Sequence, residues 1–282
     1  MTQVLDINHL RQWIGQSETA EDTVSLRLVA GYLAMLDDPT PERAIGDEAP
    51  LAIHWCLAPA TRPMSQLGLD GHPKRGGLLP PVPLPHRMWA GGQIDLHGRF
   101  HVGDVVTRQS TVRDVVLKTG RSGALCFVTV DHAFSCAQGL ILTERHDIVY
   151  RAPRDPDAAP PVIPQAPKPR WSYSVMADPV LLFRYSALTF NGHRIHYDRN
   201  HAITSEGYAG LVVHGPLQAT MMLEYAARLR GAPPATFAFR GISPLIDGAA
   251  FTVNADETAE GLHLWTAAAD GRLCMEAQAA WT

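Results

Sequence analysis

The sequence has 282 residues, of which 46% are hydrophobic and 18% charged, a composition typical of a folded globular protein rather than a disordered one. The formal net charge is -4 without any basic block, and no apolar run approaches the roughly 20 residues that span a bilayer, so we expect neither nucleic-acid binding nor membrane insertion. Four scattered cysteines, no C-x-x-C pair and no secretion signal at the first residues predict a cytoplasmic protein without a disulfide framework.

The first half of the chain predicts a helix followed by antiparallel strands. Residues 23–36 (TVSLRLVAGYLAML) place apolar side chains at roughly helical spacing, with Asp22 as the expected N-cap. A stretch rich in Gly and Pro follows at residues 68–85. The segments VVTRQSTVRDVVL, ALCFVTVDHAFS and LILTERHDIVY then carry strand patterns and are separated by the turns GRSG and AQG. Strands joined in series by tight turns predict an antiparallel meander.

A segment rich in proline divides the chain at residues 152–170 (APRDPDAAPPVIPQAPKPR). Proline fixes φ and lacks an amide hydrogen, so we expect an extended linker here rather than a helix or an inner strand. The predicted organisation is therefore an N-terminal unit at residues 1–151, the linker at residues 152–170, and a C-terminal unit at residues 171–282.

The second half repeats the order of a helix followed by strands. After WSYSV, residues 216–229 (PLQATMMLEYAARL) are apolar on most of the circumference, which predicts a buried helix with Gly215 as N-cap, Pro216 at N1 and Gly231 at its end. TFAFRGIS, AAFTVNAD, GLHLWTAAA and LCMEAQAAW are the predicted strands. A buried helix wrapped by a curved antiparallel sheet, present twice, predicts the α+β class and a double hotdog fold; the repeat lies in element order, not in the residues themselves.

Two segments carry the residues most suited to catalysis. The first, RYSALTFNGHRIHYD, contains Asn191, His193, Arg194, His196 and Asp198. Its Asn-Gly pair favours a turn, so we predict a loop with exposed polar groups. The second, VVHGPLQ, opens the buried helix at Gly215, where free N–H groups and the positive end of the helix dipole lie. A loop imidazole opposite such donors suits proton transfer beside a thioester carbonyl.

These residues give the chain a resemblance to the MaoC-like hydratases and dehydratases of the hotdog superfamily, the hydratase-2 group. The family signature is roughly S-G-D-x-N-P-x-H-x-D, followed by a helix that opens with His-Gly; TFNGHRIHYD and VHG lie over these segments. The catalytic histidine of the family falls on His196, its oxyanion-hole amide on Gly215, and its catalytic aspartate on Asn191. FRYSALTFNGHRIHYD and RMWAGG are similar to the branch with mitochondrial-type 3-hydroxyacyl-thioester dehydratase and the mesaconyl-C4-CoA and itaconyl-CoA hydratases.

The resemblance implies a hydro-lyase that adds water across the 2,3 bond of an enoyl thioester, or removes it. His196 is then the general base or acid, Asn191 fixes the water, and the N–H of Gly215 polarises the carbonyl. The C-terminal repeat carries the site and the degenerate N-terminal repeat widens the acyl pocket. Coenzyme A arrives as part of the substrate, so no separate cofactor is expected. His193 and His196 form an H-x-x-H, but without further ligands at plausible spacing no metal is expected either.

Four residues are candidates for contacts with the substrate. Arg87 and Arg194 are candidates for binding a carboxylate, which would separate C5 dicarboxylic substrates such as mesaconyl-C4-CoA from fatty acyl chains. Arg194 has the alternative of pairing with Asp198. Trp89 suits either the acyl tunnel or the core, and His214 either a substrate contact or a structural role. The loop at residues 68–77, with its basic side chains, suits either the phosphates of coenzyme A or exposure to solvent.

Other functions remain open from the sequence alone. A thioesterase on the same fold would need a carboxylate beside the carbonyl, and Glu224 in the buried helix is the candidate. A binding module for thioesters or for a partner would not need a proton carrier at His196. A homodimer and a monomer both fit the predicted fold, because a duplicated chain can pair its two sheets internally.

Overall fold

The computed structural model describes residues 5–39, 42–120, 123–152 and 162–281. The helices are α1 (Ile7–Leu10), α2 (Leu26–Met35), α3 (Pro179–Thr189), α4 (Arg199–Thr204) and α5 (Gly215–Arg230). The strands are β1 (Ser17–Thr23), β2 (His86–Leu96), β3 (Val105–Gly120), β4 (Gly123–Cys136), β5 (Gly139–Arg151), β6 (Trp171–Met176), β7 (Thr236–Gly241), β8 (Ala250–Thr258), β9 (Gly261–Ala267) and β10 (Leu273–Ala280). The predicted strands of both halves are confirmed. None of the described helices is long and apolar enough to cross a membrane.

The strands form one antiparallel sheet in the order β1-β3-β4-β5-β2-β7-β10-β9-β8-β6. Strand β2 joins its two halves, because it pairs with β5 on one side and with β7 on the other. Gly92 in β2, for example, lies between His146 of β5 and Phe239 of β7. The two predicted repeats therefore share a continuous sheet, which brings side chains from both halves to the same central region.

The predicted linker is described only in its second part, since residues 153–161 lie outside the described residues. From there the chain packs beside the turn between β9 and β10: Ala166 N donates to Gly271 O at 2.8 Å, and Leu273 N donates to Pro164 O at 2.9 Å. The boundaries of the two units on either side of this segment stay a prediction.

Helix α2 begins later than predicted. Ser25 is the N-cap, with a side chain that accepts a hydrogen bond from Leu28 N at 3.2 Å. Asp22 is not the cap, because β1 continues through Thr23, which pairs with Val105. The Asp22 carboxylate accepts instead from Ala58 N at 2.8 Å. The apolar face of α2 is buried in the same core as α5 and strands of both halves.

Helix α5 begins at Gly215, one residue before Pro216, the predicted first residue of the helix. His214, rather than Gly215, is the N-cap, because the His214 carbonyl already accepts the hydrogen bond of Gln218 N at 3.2 Å. Gly215 and Pro216 therefore occupy the first two helical positions, and Gly231 follows the end of the helix as predicted. Eight residues of α5 are buried, which confirms the predicted central helix.

The segment predicted as a loop around Asn191 is helical in its first part. Asp178 caps α3, and Pro179 occupies the first turn, so the helix runs through Thr189. It ends at Phe190, which adopts the left-handed conformation with φ of 52°, while Asn191 N donates to Ser186 O at 2.9 Å. The turn predicted at the Asn-Gly pair lies one residue earlier, since Phe190 adopts the left-handed conformation. The polar residues follow as a short loop and one 3-10 turn, Arg194–His196.

Candidate active site

A cavity of about 1890 Å³ is lined by residues from both halves of the chain. Six of the seven predicted site residues line it: Asn191, Arg194, His196, Gly215, Arg87 and Trp89. His214 does not belong to the lining. The structure thus brings together in space residues that are up to 128 positions apart in the sequence, from Arg87 to Gly215.

His196 is held in one tautomer by the segment that leads into α5. Val212 N donates to Ile195 O at 3.0 Å, and the Nδ1 of His196 lies 2.7 Å from Val212 O. Because a carbonyl oxygen can only accept, Nδ1 carries the proton and donates it to Val212. The lone pair then lies on Nε2, and this nitrogen is the one that can take a proton from a reacting group.

The ring of His214 packs against the ring of His196. It is fully buried, and the two imidazoles stack with centroids 3.6 Å apart and planes 18° apart. The Nε2 of His214 bonds to Ser186 Oγ at 2.8 Å, which ties the pair to α3. This placement favours a structural role for His214 over a contact with substrate.

Burial keeps the imidazoles at this site neutral. Desolvation lowers the pKa of His196 to about 4, although its hydrogen bond to Val212 opposes the shift. Burial also holds the pKa of His214 and of His193 well below the ordinary value of histidine, and the neighbouring imidazoles add to this effect. Near neutral pH, His196 is therefore a neutral imidazole that is ready to accept a proton.

Asn191 presents donors to the cavity. Its Oδ1 accepts a hydrogen bond from His193 N at 3.0 Å, which fixes the orientation of the amide. The remaining Nδ2–H groups can donate to a water or a hydroxyl. A neutral amide cannot take a proton, so of this pair only His196 is able to act as a base.

Gly215 offers a backbone amide at the N-terminal end of α5. Pro216 has no N–H and Leu217 is fully buried, which leaves the half-buried Gly215 as the accessible donor of this turn. A Cβ on Gly215 would lie 2.8 Å from Cε3 of Trp89, so a side chain does not fit here. The helix dipole adds positive potential to the same amide, which suits a developing oxyanion.

The two arginine candidates differ in their partners. Arg194 is held by Asp198, with 2.7 Å between its guanidinium and Oδ2, and by the carbonyl of Leu69 at 3.0 Å. Arg87 lines the cavity and forms no salt bridge within the described part of the chain. Its charge adds to burial in lowering the pKa of His72 to about 4. Arg87 lies near Asp70 and Tyr150, but no ion pair within the described residues holds it as Asp198 holds Arg194, so it is the better placed of the two to meet an anionic part of the substrate.

Sequence reasoning missed the contribution of the Gly-rich loop at residues 68–77. Asp70 O accepts a hydrogen bond from Arg194 N at 2.9 Å, and the ring of His72 lies 4.1 Å from that of His193. The basic side chains of this loop contact backbone carbonyls: Lys74 donates to Ser65 O and Arg75 to residues 82–85. The loop therefore supports the active-site segment, and the D-G-H triplet at 70–72 is the only signal of it in the sequence.

Asp70, His72 and His193 have ligand atoms within 4.8 Å of one another, which is a spacing that can hold a metal ion. Two observations oppose this use. The carboxylate of Asp70 already bonds to Nδ1 of His72 at 3.0 Å, and the positive charge of Arg87 lies nearby. The expectation that no metal is bound stays a prediction.

Glu224 does not support a thioesterase, because it is outside the cavity lining. It lies within α5, and burial raises its pKa to about 7. A carboxylate that is away from the cavity cannot attack or activate water beside a bound thioester. Glu224 therefore does not supply the carboxylate that the thioesterase alternative requires.

Comparison with known proteins connects this geometry to a family. The sequence profile of the family described as "Hydroxyacyl-thioester dehydratase type 2" matches residues 52–247. A relative from Chloroflexus aurantiacus, described as "Mesaconyl-C(4)-CoA hydratase", is 41% identical over 266 residues, which cover 94% of this chain and 95% of the relative. The profile match and this identity show membership of the family.

Solved structures show the same fold. A MaoC-like dehydratase from Phytophthora capsici matches with a TM-score of 0.68 and 14% identity, covering 98% of this chain and 99% of that one. A Mycobacterium tuberculosis protein described as a double hotdog matches with a TM-score of 0.57 and 15% identity, covering 94% of both chains. The predicted double hotdog is thereby confirmed. The chain belongs to the hydroxyacyl-thioester dehydratase type 2 family and is a hydro-lyase with a MaoC-like hotdog fold.

Proposed function

We propose that the chain hydrates a short 2-enoyl-CoA, with His196, Asn191 and Gly215 as the catalytic residues. The observation that carries this proposal is the tautomer of His196. Its Nδ1 is committed to Val212 O at 2.7 Å, so the basic Nε2 is left for a proton at a cavity that also contains the amide of Gly215. A base and an oxyanion donor at one cavity are the two groups that water addition to a thioester needs.

In the hydration direction, Nε2 of His196 takes a proton from water as the water oxygen bonds to C3. The electron pair of the C2–C3 double bond moves to form the enolate, and the N–H of Gly215 stabilises the charge on the thioester oxygen. The imidazolium then returns its proton to C2, which restores the neutral ring. Asn191 holds the water by donating from Nδ2. Dehydration follows the same steps in reverse.

The proposed substrate class is a C5 dicarboxylic acyl-CoA such as mesaconyl-C4-CoA. This proposal is supported by the 41% identity to the Chloroflexus aurantiacus mesaconyl-C4-CoA hydratase over nearly the whole chain. It is also supported by the guanidinium of Arg87, which lines the cavity without a salt bridge among the described residues and suits an anionic part of the substrate. Coenzyme A enters only as part of the substrate, and the proposal requires no other cofactor.

A panel of crotonyl-, mesaconyl-C4-, itaconyl- and medium-chain enoyl-CoA tests the proposal. Loss of enoyl absorbance without release of free thiol is expected for the wild type. His196→Ala should lower kcat by about 10²–10⁴, the usual contribution of general acid–base catalysis. Release of free coenzyme A would instead identify a thioesterase, and binding without turnover would identify a binding module; either result refutes the proposal.

A second candidate, supported by the description of the matching family, is dehydration of 3-hydroxyacyl thioesters in fatty acid synthesis. The cavity volume of about 1890 Å³ is large enough for a chain longer than five carbons. The same substrate panel separates the two, because a fatty acyl enzyme would prefer the medium-chain substrate over mesaconyl-C4-CoA.

We also propose a cytoplasmic location, which is supported by four cysteines that are all free thiols.

A monomer and a homodimer remain the alternatives for assembly. Because β2 and β7 pair within the chain, a homodimer that extends the sheet would use β1 or β6, the two end strands. Light scattering after size-exclusion chromatography measures the assembly directly.

A further inference from the structure

The N-terminal half contains a hydrogen-bonded series of polar side chains that the proposed mechanism does not use. We call Ser110, His132, His146 and Glu144 the inner polar chain. They lie on three adjacent strands, with Ser110 opposite His132 and His132 opposite Glu144. The first three line the same cavity as His196.

Each member of the inner polar chain bonds to the next. Ser110 Oγ lies 2.8 Å from Nδ1 of His132, and Nε2 of His132 lies 3.2 Å from Nδ1 of His146. Nε2 of His146 lies 2.6 Å from Oε1 of Glu144, which also accepts from Nε1 of Trp55 at 2.8 Å. The series fixes the orientation of two imidazoles and one hydroxyl at the cavity wall.

Burying the carboxylate of Glu144 costs free energy, which its charged and hydrogen-bonded neighbours must offset. Its side chain is 1% exposed, and burial by itself would raise its pKa; the charge and hydrogen bond of His146 outweigh burial and hold the pKa well below the ordinary value. Oε2 faces the buried His54 at 3.4 Å. Glu144 is thus the counter-charge for a proton on His146. Burial and the neighbouring His146 hold the pKa of His132 well below the ordinary value, so His132 is a neutral ring at the cavity.

Arg108 extends the inner polar chain on the same face of β3, two residues from Ser110. It lines the cavity, and its Nε is buried without a hydrogen-bond partner in the described part of the chain. Glu18, the nearest carboxylate, lies 3.9 Å from Arg108 but 2.7 Å from Arg62. The positive charge of Arg108 is therefore only loosely compensated.

Trp89 connects the inner polar chain to the reaction centre. One edge of its indole lies against Gly215, since a Cβ there would meet Cε3 at 2.8 Å. The same ring makes an edge contact with His146 at 5.7 Å between centroids. Its Nε1, on the opposite side of the indole from Cε3, is buried without an acceptor among the described residues. The cavity thus passes from the oxyanion donor along Trp89 to the inner polar chain and Arg108, where the donors Trp89 Nε1 and Arg108 Nε have no acceptor among the described residues.

We propose that Arg108, Ser110 and His132 form a subsite for the free carboxylate of a dicarboxylic acyl group, with His146 and Glu144 as positioning residues. This inference rests on the proposed function, because it places the distal end of the acyl chain relative to His196 and Gly215. A carboxylate at this point would pair with the guanidinium of Arg108. It would also receive the hydroxyl hydrogen of Ser110 when His146 carries protons on both nitrogens, because His132 then accepts from His146 and donates from Nδ1 to Ser110 Oγ. An apolar acyl chain would instead leave these groups desolvated and unpaired, which disfavours fatty acyl substrates.

Kinetics of Arg108→Gln and Ser110→Ala on two substrates test the subsite. For Arg108→Gln, kcat/KM on mesaconyl-C4-CoA should fall on the order of 10–100-fold, the usual effect of losing a charge-assisted hydrogen bond. For crotonyl-CoA, whose acyl group has no free carboxylate, kcat/KM should change less than about 3-fold. Ser110→Ala removes only the hydroxyl oxygen. It should lower kcat/KM on mesaconyl-C4-CoA by a smaller factor than Arg108→Gln does, again with little change on crotonyl-CoA. The matched control is Arg113→Gln, an arginine of the same strand that is 63% exposed and pairs with Asp131.

The outcomes separate the inference from the function on which it rests. Wild-type protein that hydrates neither substrate refutes the proposed function. Hydration of both substrates with an equal loss for each in Arg108→Gln, mainly in KM, would mean that the arginine binds coenzyme A. Unchanged kinetics in both variants would mean that no anion is bound there. Either of these last two results overturns the subsite and leaves the hydratase intact.

Discussion

Gly71 and Gly192 lie so close together that a Cβ on Gly71 would be 1.9 Å from the carbonyl oxygen of Gly192. Gly71 also has φ of +87°, which L side chains rarely adopt. At this contact, the loop at residues 68–77 packs directly against the segment that carries Asn191 and His196. The active-site loop is therefore supported by the N-terminal half of the chain.

Gly71→Ala should displace this support and lower kcat, because the loop must move away from Gly192. The matched control is Gly77→Ala in the same loop, where a Cβ meets nothing within 4 Å. We expect a loss of about 10-fold or more for Gly71→Ala, as misplaced catalytic groups typically cause. Equal activity in the two variants would show that the contact does not position the site.

Gly215→Ala should lower kcat/KM because its Cβ would collide with the indole of Trp89 at 2.8 Å. Trp89→Phe removes Cε3 and Cζ3 from the contact, so the double variant should recover part of the activity that Gly215→Ala loses. Steady-state kinetics of both single variants and the double variant measure this coupling. Simple addition of the two losses would contradict a direct contact between these residues.

The pH dependence of hydration should lack a protonation step near 6.5, the ordinary pKa of histidine. Because burial lowers the pKa of His196 to about 4, the base stays neutral until the pH falls to that range. Hydration needs the neutral base, so kcat/KM should decrease only as the pH approaches about 4. Brief assays at constant ionic strength measure this profile, and an inflection near 6.5 would contradict it.

The buried histidines also predict a pH dependence of stability. The pKa values of His193, His196 and His214 are lower in the folded state than in the unfolded chain, so the unfolded chain binds more protons below about pH 6.5. Their contribution to stability is complete above this pH and is lost progressively as the pH falls. Tm should therefore decrease from pH 7 to pH 5 (roughly the titration range of free histidine).

His214→Gln removes one of these titrating rings and should make that decrease in Tm smaller. Ser186→Ala is the comparison, because it removes the hydroxyl bonded to His214 at 2.8 Å but keeps the imidazole. A decrease in Tm of the same size for His214→Gln as for the wild type would show that His214 does not contribute.

Arg87→Gln and Arg194→Gln should have different effects. The guanidinium of Arg87 faces the cavity without a salt bridge in the described residues, so its loss should raise KM for the anionic substrate. Arg194 is bonded to Asp198 and to Leu69, so its loss should lower thermal stability and kcat together. Measurement of KM, kcat and Tm for both variants separates binding from support. An unchanged KM in Arg87→Gln would exclude Arg87 from substrate binding.

The sequence alone determined the two central helices, most of the strands and the candidate reacting residues, but not β1, β2 or α3. The apolar pattern of residues 216–229 predicts a buried helix because a helix without a polar face cannot stay in water. The antiparallel pairing of β3, β4 and β5 follows from the short connections between them. Asn191, His196 and Gly215 could be selected because imidazole, amide and helix terminus each have a definite chemistry, and because the motif around them resembles a known family.

Only the tertiary structure decided how distant segments meet. The pairing of β2 with β7 makes one sheet, and this pairing is what places Trp89 against Gly215 and the inner polar chain at the same cavity. The roles of Asp70, His72, Ser110 and His132 could not be read from their neighbours in sequence, because hydrogen bonding and burial depend on residues far along the chain. The residue types in the motif were enough to propose His196 as the base. Long-range packing determined the tautomer and the pKa of His196 and the groups that face the cavity.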